Sequence, residues 1–178
     1  MGVDSRLEIP ITIRPEFIVY SVAKAAGEDV PHDSTGQENV FRANSFWHQY
    51  NDSPISPFDF FPLRGEAGKL GARFNLHLTY LENEEDDFVY RCAEAPCWML
   101  MGRATKENIA ILRTVAEVWG GRLEYRDSDE HTESFEGKVN TDRPEGDPSQ
   151  RWNYLCALAY STPVATVTEF DIAQAAYS

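Results

Sequence analysis

The stretch ENIAILRTVAEVWGGRLEYR, residues 107–126, constrains this chain more than any other. Ile109, Leu112, Ala116 and Trp119 recur at spacings of three and four, and Ile111, Val115 and Val118 widen the same face. Apolar residues so spaced line one side of an α-helix, which must then be buried. Arg113 and Glu117 fall outside that face. Thr105 is placed to cap the helix by accepting an early backbone N–H, and Glu107 suits the positive end of the helix dipole. Gly120 and Gly121 stop it. The spacing therefore predicts a helix over 105–119 and a strand over 121–126.

The same reading extends along the chain. Leu7, Ile9, Ile11 and Ile13 alternate with polar or small residues, which predicts a strand over 7–14 with an edge or bulge at Pro10. Pro15 and Glu16 open a helix over 15–26, with Ile18, Val22, Ala25 and Ala26 inward, Lys24 outward and Gly27 as its stop. Phe74, Leu76, Leu78 and Tyr80 alternate with Asn75, His77 and Thr79, giving a strand over 72–82 that turns His77 off the apolar face. A second strand, 88–101, returns from a charged turn and is weakened at Pro96. Residues 148–161 predict a last helix, with Trp152, Leu155, Cys156, Ala159 and Tyr160 as its apolar stripe. Residues 164–170 are expected to form a final strand or an extended tail.

This order, strand–helix–strand–strand–helix–strand, is that of the split βαβ. The expected fold is α+β and ferredoxin-like. Two helices should lie on one face of a four-stranded antiparallel sheet, with a long irregular insertion (28–69) and an extra C-terminal helix. A different α+β arrangement is the alternative, since Pro10 and Pro96 both weaken strands. With 178 residues, one domain spanning 1–178 is expected.

Charge narrows the function classes. The chain carries 29 acidic against 16 basic side chains, a net charge of −13. The bases are scattered and form no stripe, which disfavours direct nucleic-acid binding. Such acidity suits solubility, and it also suits a basic protein partner. The N-terminus has no basic region followed by an apolar one, Arg6 stands where a myristoylation signal needs Ser or Thr, and no apolar run is long enough to span a membrane. A cytoplasmic protein without membrane attachment is expected.

Motifs for chemistry fail on spacing. Cys92 and Cys97 are too far apart for a zinc knuckle, and no second Cys/His pair completes one. His32, His48, His77 and His131 contain no i, i+4 pair. Asp127, Asp129 and Glu130 resemble the start of a cation loop, but an EF-hand needs glycine at the sixth position and glutamate at the twelfth. Counted from Asp127, these are Thr132 and Lys138. A cysteine nucleophile beside His77 would lie in an acidic hairpin, the wrong setting for a reactive thiolate. Residues 65–74, GEAGKLGARF, lack the spacing of a phosphate loop. No catalytic residue, metal or cofactor is therefore expected.

Two acidic patches are the expected partner-binding sites. One is the hairpin tip Glu84, Glu85, Asp86 and Asp87. The other is a long loop, 127–150, that begins with Asp127, Asp129, Glu130 and Glu133, with a short strand possible over 134–139. Trp47 and Tyr50, in the aromatic insertion, are candidate anchors. The expected function is a small acidic protein that binds and blocks a partner, as an immunity protein or anti-defence inhibitor does, with nucleic-acid mimicry as a special case. An enzyme with a site assembled from scattered residues is one alternative. A structural or assembly subunit, including a homo-oligomer, is the other.

Overall fold

The computed structural model describes residues 5–10, 15–27, 76–81, 97–126, 130–139 and 148–167. The insertion 28–69, the hairpin tip Glu84 to Asp87, and Trp47, Tyr50, Asp127 and Asp129 lie outside the described residues. The elements in chain order are β1 (Ser5–Pro10), α1 (Pro15–Ala25), β2 (His77–Leu81), β3 (Cys97–Gly102), α2 (Lys106–Trp119), β4 (Gly121–Arg126), β5 (Glu130–Phe135) and α3 (Pro148–Tyr160). The fold is mixed α and β, with three helices and a five-stranded antiparallel sheet among the described residues.

The strands run in the order β2-β3-β1-β4-β5. Their register explains the core. Leu78, Leu100, Leu7 and Leu123 stand in one row across four strands. Side chains alternate between faces along a strand, so this row and its odd and even neighbours define two different surfaces. The leucine row, with Ile9 and Trp98, joins side chains of all three helices in one buried cluster. Leu7, Ile9 and Leu100 have no exposed surface. Burying each contributes roughly 2 kcal/mol.

The other face carries Arg6, Glu8, His77, Thr79, Met99, Met101, Arg122 and Glu124 by the same alternation. Every residue of β3 is buried, and Met99 and Met101 are buried outside the helix-side cluster. β3 is thus covered on both sides, which fits its uninterrupted apolar sequence.

α2 forms as its sequence requires. Thr105 has extended backbone angles and its hydroxyl accepts the Asn108 N–H at 3.2 Å. The apolar face is buried, Arg113 is half-buried and Glu117 is exposed. The glycine stop does more than end the helix. Gly121 has φ of 130°, and a Cβ there would lie 2.0 Å from the Glu8 carbonyl oxygen. Gly137 has φ of 75°, and its Cβ would meet the Gly120 nitrogen at 2.3 Å. The Lys138 N–H donates to the Val118 carbonyl at 2.8 Å. The helix end is therefore pressed between β1 and the chain leaving β5.

α1 is buried more completely than one apolar stripe implies. Phe17, Ile18, Val19, Tyr20, Ser21, Val22 and Ala23 are all buried. Both α2 and α3 pack against it, so more than one side is covered. Lys24, expected to point outward, donates from Nζ to the Tyr160 carbonyl at the end of α3. A cation there complements the helix dipole. On α3, Leu155 and Ala159 are buried, with Cys156 and Tyr160 partly so.

The expected loop 127–150 is corrected in part. Residues 130–135 form β5, paired antiparallel with β4 through Tyr125 and His131, Leu123 and Glu133, and Gly121 and Phe135. The possible strand over 134–139 is displaced toward the N-terminus. Residues 162–167 have no regular structure.

Candidate functional site

Of the expected partner-binding residues, Glu130 and Glu133 fall within the described chain, and β5 holds both. They are an odd number of residues apart, so they occupy opposite faces of the strand. Glu133 turns toward α2. Its Oε2 accepts from Nη2 of Arg113 at 3.1 Å and from Nε at 3.3 Å. The side chains of this pair are 16% and 38% exposed. Glu130 turns the other way and is ion-paired with the exposed Arg126. The Arg126 hydrogen bond holds its carboxyl below the usual carboxylate range, and the charges of Arg126 and Arg6 add to the effect.

The two glutamates therefore do not form one cluster. Each already engages a guanidinium, and the helix-side pair also fastens β5 to α2. Between them, His131 stacks on Tyr125 with ring centroids 4.9 Å apart.

A second constellation on the sheet was not singled out from sequence. Arg6 and Arg122 both form ion pairs with Glu124. Glu8, opposite Arg122 in the register, is buried. The row of charge thus crosses β1 and β4 on the face away from the leucines. Its sequence signal is a repeated triplet, Arg6-Leu7-Glu8 and Arg122-Leu123-Glu124.

A third group ties the helices together. Trp119 Nε1 donates to Ser21 Oγ at 2.7 Å, and Thr162 Oγ1 donates to the same oxygen at 3.0 Å. Ser21 is on α1, Trp119 on α2, and Thr162 follows α3. These polar groups satisfy one another inside the core.

Among the described residues no set of three or more His, Cys, Asp or Glu side chains is grouped to hold a metal ion. Cys97 is buried and Cys156 is half-buried, and neither is joined in a disulfide. No described helix is long and apolar enough to cross a membrane. Comparison with protein-family models, with curated proteins and with solved structures finds no match.

Proposed function

We propose that this chain is a small acidic protein that binds and neutralises a basic protein partner, in the manner of an immunity or anti-defence inhibitor. The observation that carries the reading is the charge balance. There are 29 acidic and 16 basic side chains, for a net −13. Four arginines of the described fold, Arg6, Arg113, Arg122 and Arg126, are engaged by glutamates of the same chain. The acidic excess is then left to act on the surroundings. A field of one sign attracts an oppositely charged partner at long range. Nucleic-acid mimicry is the special case in which the partner normally grips phosphates.

The antiparallel order β2-β3-β1-β4 supports a ferredoxin-like sandwich with β5 added at one edge. That fold serves many functions, so the functional reading rests on charge.

The test is affinity capture. The purified chain is immobilised, exposed to lysate at low salt and washed at high salt, and the released protein is identified and recombined with the chain in pure form. A basic protein that rebinds and loses its own activity supports the reading. Recovery of nothing beyond the uncoupled-matrix control overturns it.

A further inference from the structure

We draw no further inference here: the strongest candidate, the buried side-chain cluster of Glu8, Met99 and Met101 on the sheet face turned away from the helix-side core, carries nothing because no described residue shows what covers it.

Discussion

Arg6 of β1 stands directly opposite Glu124 of β4 and is ion-paired with it. The relationship follows from two copies of one triplet. When Arg6-Leu7-Glu8 runs antiparallel to Arg122-Leu123-Glu124, the leucines pair in the core and both outer pairs join opposite charges. A slip by one residue would move the leucines to the wrong face and break the match. The Arg6–Glu124 pair is partly buried, at 25% and 19% exposure. In a double-mutant cycle with Arg6→Gln and Glu124→Gln, chemical denaturation should give a coupling of about 1 kcal/mol. Additive single effects would show that the pair does not hold the register.

The glycines separate close contact from backbone strain alone. Gly27 has φ of 85°, but its added Cβ would find Val164 Cγ1 at an ordinary 3.8 Å. Gly27→Ala should therefore cost about 1 kcal/mol, the penalty of the left-handed backbone. Gly121→Ala adds a clash with the Glu8 carbonyl oxygen at 2.0 Å. It should cost several times more, of order 3 kcal/mol or above. Urea denaturation of both variants checks the ordering.

Ser21 is the shared partner of Trp119 and Thr162. Ser21→Ala removes the acceptor of a buried indole N–H. The expected loss is roughly 1–3 kcal/mol, accompanied by a change in tryptophan fluorescence. A variant as stable as the parent would mean that the indole finds another acceptor.

Alkaline pH should weaken the fold through Tyr20. Burial, and next the negative charge that Cys156 carries when ionised, raise its phenol above the ordinary value of 10.0. The folded state keeps this proton where the unfolded chain releases it. The contribution is fully present below about pH 10 and is lost as pH rises through the folded pKa. Lys24 has the opposite sign, since burial lowers its pKa and the folded state releases that proton first. Tyr20→Phe keeps Lys24, so its comparison with the parent isolates the phenol. The variant should lose less stability than the parent above pH 10, read as thermal midpoints across that range.

The two glutamates of β5 should separate on mutation. Glu133→Lys places a cation beside Arg113 in a half-buried site and should destabilise by about 1 kcal/mol or more. Glu130→Lys acts at an exposed position beside Arg126. It should leave the denaturation midpoint nearly unchanged, and its effect is read in partner association instead. Equal loss of stability in both variants would contradict the assignment of Glu133 to the α2 contact.

The readable parts of the sequence were those set by strong apolar periodicity. α2, its Thr105 cap and the Gly120-Gly121 junction follow from local chemistry, and so does the placement of Leu7 and Leu78 inside. β5 did not show itself because Glu130, Thr132 and Ser134 alternate with His131, Glu133 and Phe135 without a clean apolar side. An edge strand needs only one ladder, and here Arg113 and Tyr125 supply side-chain contacts in place of an apolar face. The burial of Phe17, Val19, Tyr20 and Ala23 on α1, beyond the expected stripe, was hidden because it depends on two neighbouring helices distant in sequence. Trp119 read as plain core, while its N–H partner lies on α1, also far away in the chain. Of the expected partner-binding residues, sequence supplied the charge of Glu130 and Glu133 but not their opposite orientations.

The most direct test of the functional account is the salt dependence of binding between the purified chain and the captured partner. Isothermal titration and stopped-flow mixing should show both affinity and association rate falling steeply with added salt, the rate by roughly tenfold or more. Far-UV circular dichroism of the chain should stay constant over the same range. An affinity independent of salt, or a partner that carries net negative charge, would contradict it.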